Sequence, residues 1–327
     1  MIEAVENLDE FKGVIKWRVT HNCNFSCSYC IQNHCADQPD IWGTLEEDQN
    51  RSIAAAPEIS RIMEEMKAER VKLDIVGGEV TLFDLEKLLS FITSNKMKKV
   101  YIVTNFHRPK EYFISLAEYL KSRNCELEIC ASWHSEAISF EEYSGKILEL
   151  KDVENLTIKC EKVNTGDNTE EVEKIKTFCE ENGISYLIDA DTSLTAKAVN
   201  RRIRGEIKTM FKKPHPRFML HKDDGTKQEC WSQNALITGQ EPDTEEQITK
   251  LKEGFKTNGW YCSRDIDYVY VTIDFHHGIV NGQCKKKEPV TDFHIKEEPH
   301  QCEFPSCNFC GKMSVAKDKE KLLSFLE

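Results

Sequence analysis

Short apolar runs alternate with longer amphipathic stretches from residue 14 to about residue 190. The runs are rich in valine, isoleucine and aromatic residues, which is typical of β-strands, and they cover residues 14–20, 71–78, 98–105, 125–133, 155–163 and 184–192. The stretches between them, such as KEYFISLAEYLKSR, have the apolar spacing of amphipathic helices. Six strands that alternate with helices predict a parallel sheet with right-handed crossovers.

This strand count narrows the fold class to α/β with two candidate architectures. Six units are two fewer than a complete (β/α)8 barrel contains, so a partial (β/α)6 barrel and an open doubly wound sheet both fit. In either architecture, the chemistry lies at the C-terminal ends of the parallel strands.

The pattern changes after residue 195. A locally basic stretch at 201–217 is either a solvated surface or a clamp for an anionic substrate group. YVYVTIDFHHGIVNGQC predicts a hairpin, and KDKEKLLSFLE predicts a closing helix. We therefore predict three regions: a partial barrel at 1–195, a linker that contacts substrate at 196–255, and a small C-terminal α+β domain at 256–327.

Charge and hydropathy argue against two classes of partner. The 327 residues carry a net charge of −12, which argues against a general nucleic-acid surface and gives no reason to expect an anionic membrane. No run approaches the roughly 20 apolar residues that span a bilayer, and the first residues lack the basic and apolar regions of a signal peptide. We expect a cytoplasmic protein with no nucleic-acid or membrane partner.

Fourteen cysteines are a high number for a chain without an export signal. In a reducing cytoplasm, cysteines are more often metal ligands or catalytic thiols than disulfide partners. Three lie within residues 23–30 and five within residues 262–310, so the sequence predicts two metal sites.

The first group directly follows the first predicted strand and reads CNFSCSYC, with Cys23, Cys27 and Cys30. A closed zinc site needs a fourth ligand, which His21 or Cys35 could supply. The alternative is a [4Fe–4S] cluster on three thiolates, with one iron left open to bind another molecule.

CNFSCSYC, with Tyr29 before its last cysteine, resembles the CxxxCxxC signature of the radical S-adenosylmethionine superfamily. The resemblance covers residues 14–195 and implies a partial (β/α)6 barrel with S-adenosylmethionine bound to the open iron. In that family, reductive cleavage of S-adenosylmethionine gives a 5′-deoxyadenosyl radical, which abstracts a hydrogen atom from the substrate. The cofactor carries the radical chemistry, and the protein orients it.

The same resemblance implies a set of cofactor-binding residues near the cluster and at the ends of the predicted strands. Gly77, Gly78 and Glu79 match the family's GGE motif, in which the backbone contacts the methionine amino group, although Val80 replaces the usual proline. The remaining members are Tyr29 near the adenine, and Thr104, Asn105 and Ser132 near the ribose or carboxylate. From the residues alone, the glycines equally mark a turn, and Thr104 and Asn105 are equally typical of capping residues.

The second cysteine group resembles a twitch domain, a short relative of the SPASM domain that binds one auxiliary [4Fe–4S] cluster. The preferred ligands are Cys262, Cys284, Cys307 and Cys310, with Cys302 as an alternative ligand. A structural zinc ribbon is the competing hypothesis, because His276, His277, His294 and His300 lie in the same region.

Two single residues have competing interpretations. Cys230, in KQECWSQN between the two groups, is either a small buried residue or, as in radical epimerases, the donor that returns a hydrogen atom to the substrate. His134, at the end of the fourth strand, is either a hydrogen-bonded structural residue, which is the favoured interpretation, or a substrate contact.

The expected function is hydrogen abstraction from an unactivated C–H bond of a small sugar or aminocyclitol-like substrate, which leads to oxidation or epimerisation. An electron donor such as flavodoxin or ferredoxin is the implied partner. Only about 13 residues precede the first strand, which favours a small molecule over a peptide held by an N-terminal module. The alternatives are epimerisation or crosslinking of a ribosomally synthesised peptide, and a non-catalytic zinc-binding scaffold.

Overall fold

The computed structural model describes residues 2–8, 10–30, 43–165, 167–190, 218–230, 258–273, 278–281, 287–302 and 314–326. Several residues of interest lie outside this description: Cys35, the basic stretch 201–217, Cys284, Cys307 and Cys310.

The six predicted strands form one parallel sheet in chain order. They are β2 (Gly13–Thr20), β3 (Val71–Gly77), β4 (Met97–Thr104), β5 (Glu126–Ser132), β6 (Leu156–Asn164) and β7 (Ser185–Ala190). Their ends lie within two residues of the predicted ends. The predicted fold class, α/β with parallel strands as in a partial barrel, is confirmed.

The helices that connect these strands cover one face of the sheet. They are α1 (Leu45–Glu65), α2 (Leu85–Ser90), α3 (Lys110–Ser122), α4 (Phe140–Leu150) and α5 (Thr169–Asn182). Side chains alternate along each strand, so Ile15, Trp17 and Val19 of β2 enter the main core together with residues of α1. A capping box between Thr44 and Glu47 fixes the start of α1, which follows the cysteine loop in the chain.

The predicted hairpin near residue 270 is present, but it extends the main sheet. β11 (Tyr268–Ile273) pairs in parallel with β2, and β12 (Gly278–Asn281) and β13 (Lys287–Pro289) follow in antiparallel order. The strand order is therefore β13-β12-β11-β2-β3-β4-β5-β6-β7. As a result β2, which leads into the cysteine loop, has a neighbour on both sides.

A second, antiparallel sheet combines segments from all three predicted regions. Its members are β1 (Ile2–Asn7), β8 (Phe218–Lys222), β9 (Lys227–Cys230), β10 (Tyr261–Cys262), β14 (His300–Gln301) and β15 (Val315–Ala316), in the order β14-β10-β15-β1-β8-β9. The sequence analysis missed β1. The region boundaries at 195 and 255 stay predictions, and strand pairing crosses both of them. The predicted closing helix is α6 (Lys319–Leu323).

The inner face of the main sheet, which is turned away from the helices, is polar. The lower half of this face, which is the half nearer the N-terminal ends of the parallel strands, contains a charged network. In it, Lys72 lies 3.7 Å from both Asp74 and Glu128, and Lys159 lies 3.2 Å from Glu128. Burial alone would raise the pKa of Glu128, but the neighbouring lysines lower it below its ordinary value. The carboxylate is therefore ionised, and the network closes the lower part of the inner face with paired charges.

Among the residues that the structure describes, no helix is both long enough and apolar enough to cross a bilayer.

Candidate metal and cofactor site

The turn that begins the cysteine loop is fixed by Asp48 in the first turn of α1. Asp48 is fully buried, and its Oδ2 accepts hydrogen bonds from the Thr20 hydroxyl at 2.8 Å, the His21 amide at 3.2 Å and the Asn22 side-chain amide at 2.9 Å. Three donors on one carboxylate oxygen hold the chain direction just before Cys23. The sequence analysis missed Asp48, whose only signal is an acidic residue in the first turn of a capped helix.

The glycine pair at the end of β3 lies against this turn. The Gly78 amide donates to the Thr20 carbonyl at 2.9 Å, and the Glu79 amide donates to the Asn22 carbonyl at 2.8 Å. A Cβ atom on Gly77 would lie 2.3 Å from the Thr20 carbonyl oxygen, and one on Gly78 would lie 2.0 Å from the Asn22 carbonyl oxygen. Only glycine permits this close backbone approach, so the pair positions the loop as well as ending a strand.

The carboxylate of Glu79 joins the ends of β3 and β4. It is fully buried and accepts hydrogen bonds from the Thr81 amide at 2.9 Å, the Thr104 hydroxyl at 2.7 Å and the Asn105 amide at 2.5 Å. Burial raises its pKa above the ordinary value. The structure thus brings three predicted cofactor-binding residues, Glu79, Thr104 and Asn105, into one hydrogen-bonded group.

Asn105 extends this group to the cysteine loop. Its side-chain amide donates to Asn24 Oδ1 at 2.8 Å and to Cys23 Sγ at 3.8 Å. The backbone amide of Phe25 also donates to Cys23 Sγ, at 3.4 Å. Burial raises the pKa of Cys23 above its ordinary value, and the two N–H donors aimed at its sulfur oppose that shift.

The three thiols of the loop interact electrostatically with one another. Burial, and then charge repulsion from Cys30 and Cys23, raises the pKa of Cys27 to about 11, although a hydrogen bond from Tyr29 opposes the shift. Positively charged iron removes this penalty on forming three thiolates. Among the described residues, no three metal-binding side chains are arranged around a single ion. A four-iron cluster would put each thiolate on its own iron, so it does not require the three sulfurs to surround one ion.

His134 links the loop to the end of β5. Its Nδ1 lies 2.7 Å from the Tyr29 hydroxyl and 3.2 Å from Cys27 Sγ, and its ring stacks on Tyr29 with an interplanar angle of 6°. Burial lowers the pKa of His134 to about 4, so the ring is neutral at pH 7. Tyr29, expected near the adenine, thus has its hydroxyl against His134. The prediction that His134 is hydrogen-bonded is consistent with these contacts.

A cavity of about 740 Å³ opens beside Tyr29. On the loop side, Glu136 accepts hydrogen bonds from the Ser28 amide at 2.9 Å and the Ser28 hydroxyl at 2.6 Å. On the other side, the fully buried Lys162 pairs with Glu171 at 2.6 Å and lies over the Trp133 ring. The cavity gives the loop face near Tyr29 room for a bound molecule.

Ser132 lies on the inner face at the end of β5, where its hydroxyl donates to Glu161 on β6. The thiol of Cys130, two residues earlier, donates to the same carboxylate at 3.6 Å. Burial raises the pKa of Cys130 well above its ordinary value, and Glu161 adds to the effect, so the thiol is protonated. Cys130 is fully buried, but it lies on the polar inner face and outside the main apolar cluster.

Two of the five C-terminal cysteines lie in the described residues, and they are on neighbouring strands. Cys262 is buried on β10 opposite His300, and Cys302 follows His300 by two residues, so both project from the same face of the ladder. Cys230 ends β9 opposite Phe218 in the second sheet, and its side chain lies outside the described residues. The assignments of the auxiliary ligands and of Cys230 stay predictions.

Comparisons with known proteins gave similar structures but no similar sequences. No protein-family model and no curated protein sequence matches the chain. SuiB from Streptococcus suis, solved with S-adenosylmethionine, aligns at 18% identity and a TM-score of 0.41 over 57% of this chain and 43% of that one. SuiB with its precursor peptide SuiA aligns at 18% identity and a TM-score of 0.40, over 57% and 41% of the two chains.

anSMEcpe with bound AdoMet aligns at 13% identity and a TM-score of 0.46, over 91% of this chain and 80% of that one. SuiB and anSMEcpe were each solved with S-adenosylmethionine bound, the molecule that the cysteine motif is expected to bind. The chain spans less than half the length of SuiB. Alignments with TM-scores below 0.5 carry no argument about substrate or reaction, so the functional case depends on the residues of the site.

Proposed function

We propose that this chain is a radical S-adenosylmethionine enzyme with a [4Fe–4S] cluster on Cys23, Cys27 and Cys30. The observation that carries the proposal is the three-thiol loop at the C-terminal end of β2, pressed against the Gly77–Gly78 backbone. Three thiolates leave one iron for the amino and carboxylate groups of S-adenosylmethionine. When bound, the cluster and S-adenosylmethionine supply a 5′-deoxyadenosyl radical.

The chain's own residues position the loop and set its environment. Asp48 and the glycine pair fix the start of the loop, and Glu79 connects it to β4 through Asn105. The N–H groups of Asn105 and Phe25 stabilise negative charge on Cys23. Neutral His134 places an uncharged ring beside Cys27.

The proposed reaction is hydrogen abstraction from a C–H bond of a small, polar, sugar or aminocyclitol-like substrate, followed by oxidation or epimerisation. The polar inner face, with Ser132 and Glu161 near its upper edge, supports a substrate that forms hydrogen bonds. In the epimerisation outcome, Cys230 returns the hydrogen atom. In the oxidation outcome, an auxiliary cluster accepts the electron.

The auxiliary cluster is proposed on four of the five C-terminal cysteines. The shared face of Cys262 and Cys302 supports Cys302 as one of the ligands. An electron donor such as flavodoxin or ferredoxin in the cytoplasm would supply the reducing electron.

Anaerobic purification followed by metal analysis tests the proposal. We expect about eight irons per chain if both sites hold [4Fe–4S] clusters, and release of 5′-deoxyadenosine from reduced protein given S-adenosylmethionine. Cys27→Ala should abolish that release, whereas Cys125→Ala, a buried cysteine outside the loop, should not. Zinc at both sites and a colourless protein would contradict the proposal and support the zinc-scaffold alternative.

A further inference from the structure

Arg18 lies on β2, two residues before the strand ends at Thr20. The residues on either side of it, Trp17 and Val19, are fully buried in the core on the helix-covered face. Because side chains alternate along a strand, Arg18 projects from the opposite, inner face. In the sheet register it lies beside Val76 of β3 and Thr272 of β11.

Three lysines on the inner face have a carboxylate partner, whereas Lys16 on β2 lies over the Tyr270 ring. Lys72 lies 3.7 Å from Glu128, Lys99 lies 3.9 Å from Glu128, and Lys159 lies 3.2 Å from the same residue. Arg18 forms no ion pair with any described residue. Arg18 is close enough to Tyr270 on β11 to affect its pKa. Burial raises the pKa of Tyr270, and the charge of Arg18 opposes that shift.

The Nε atom of Arg18 is buried and has no hydrogen-bond partner among the described residues. A buried donor that forms no hydrogen bond costs stability, although the Arg18 side chain as a whole is only partly buried. A bound ligand that accepts a hydrogen bond from this donor would offset that cost. The planar guanidinium matches carboxylate and phosphate groups, which accept two parallel hydrogen bonds from it.

A carboxylate or phosphate bound to Arg18 would lie below the cysteine loop. Two strand residues correspond to about 7 Å, so Arg18 lies about that far beneath the start of the loop at Thr20. The paired charges around Glu128 close the space farther down. The upper inner face between these levels is where the proposed function requires the substrate.

We infer that Arg18 binds an oxyanion, a carboxylate or a phosphate, on the substrate. The inference rests on the proposed function and narrows its substrate class, since a sugar or aminocyclitol without an acidic group would leave Arg18 without a partner. The carboxylate of S-adenosylmethionine is a second source of the same chemistry, and the experiment separates the two.

The first arm measures the unfolding temperature of the reconstituted holoprotein with sodium succinate, sodium phosphate or neutral succinamide, at constant ionic strength. We expect at least one anion to raise it by about 2 °C or more, with no rise from succinamide. Arg18→Met should lose the rise, and Arg18→Lys should keep part of it. Arg70→Met, at an exposed arginine paired with Glu10, is the matched control and should keep it fully.

The unfolding temperature without added anion distinguishes a ligand-binding role of Arg18 from a purely structural one. Without added anion, Arg18→Met should unfold at the same or a higher temperature than the parent, because it removes a buried N–H group that forms no hydrogen bond with the described residues. A large drop would show that Arg18 stabilises the fold and would overturn the inference. An anion response that persists in Arg18→Met, or none in the parent, would also overturn it.

The second arm titrates S-adenosylmethionine into the holoprotein by calorimetry. If Arg18 serves the substrate, Arg18→Met should bind S-adenosylmethionine within about twofold of the parent. A tenfold or greater loss would assign Arg18 to the cofactor and overturn the inference. Failure of the proposed function itself is distinguishable, because the parent protein would then hold no iron cluster and release no 5′-deoxyadenosine.

Discussion

His134 contacts both an aromatic residue of the cysteine loop and one of its thiols. A thiolate bound to iron carries no proton, so in the tautomer with a hydrogen on Nδ1 the His134 ring donates to Cys27 Sγ over 3.2 Å. Hydrogen bonds to cluster sulfurs help to set the reduction potential, because they disperse the added negative charge of the reduced state. His134 thus connects the end of β5 to the redox properties of the site.

We expect His134→Phe to assemble the cluster but to lower its reduction potential, since the hydrogen bond to Cys27 is lost. A redox titration followed by electron paramagnetic resonance measures the change. His294→Phe, at an exposed histidine paired with Glu65, is the control and should have the parent's potential. Equal potentials for all three proteins would show that the contact does not affect the cluster.

Glu79 illustrates how one buried carboxylate can stabilise two strand ends. Glu79→Gln replaces an acceptor oxygen by a donor amide, which leaves without a partner at least one of the four donors, two of which belong to Thr81. We expect a loss on the order of 3 kcal/mol in the free energy of unfolding and a lower iron content. Chemical denaturation and iron analysis measure the two effects. Glu86→Gln, on the surface of α2, should change neither.

Asp267, just before β11, gives the protein a predicted pH dependence. Burial raises its pKa from 3.8 to about 7, and its Oδ1 has no hydrogen-bond partner among the described residues. Between pH 4 and 7, the unfolded chain loses this proton while the folded chain keeps it. The unfolded state then binds fewer protons, so this residue's contribution to the free energy of unfolding falls as pH rises through that window.

Asp267→Asn should remove that contribution. Relative to the parent, the variant should gain stability on going from pH 5 to pH 8, by on the order of a few kcal/mol. Urea denaturation at the two pH values measures the difference, with Asp292→Asn at an exposed position as the control. A constant difference between parent and Asp267→Asn at both pH values would contradict the assignment.

At the scale of elements, the end of β3 and the turn after β2 behave as one unit. A methyl group on Gly78 would overlap the Asn22 carbonyl, so Gly78→Ala should displace the cysteine loop and reduce the iron content severalfold. Gly145→Ala is the matched control, because a Cβ there meets nothing within 4 Å and alanine favours the helix. Normal iron content in Gly78→Ala would show that the close approach is dispensable.

The elements also show what the sequence can and cannot predict. The six parallel strands were predictable because their apolar runs are flanked by amphipathic helices whose periodicity is unambiguous. β1 was missed because IEAVEN is short and bears two glutamates, and its pairing with β8 and β15 depends on segments far away in the chain. The position of β11 beside β2 is likewise a long-range pairing that local patterns do not record.

The candidate site also has some features that the sequence predicts and others that depend on tertiary contacts. The spacing of Cys23, Cys27 and Cys30 and the Gly77–Gly78 pair are local signals, and the structure brings them together. Asp48 and Arg18 could not be predicted, since their roles come from tertiary neighbours. Buried carboxylates at helix starts and arginines in strands are common. The roles of these two residues can therefore be inferred only from their tertiary contacts.

At the scale of the whole molecule, the two sheets share their chain segments: β10 and β15 lie in the second sheet, whereas β11, between them in the chain, lies in the main sheet. The predicted barrel and C-terminal regions are therefore interleaved. We expect a single cooperative unfolding transition for the parent holoprotein by calorimetry, with near- and far-ultraviolet circular dichroism changing together. Two separate transitions would show that the regions are independent.

The place of β11 beside β2 also has a consequence for the order of events during synthesis. The cysteine loop leaves the ribosome before β3 to β10, and β11, the strand that completes its support, follows them. Until then β2 is an unpaired edge on that side, and its loop lacks its final framework. Iron delivery to this site is therefore expected to follow the synthesis of β11.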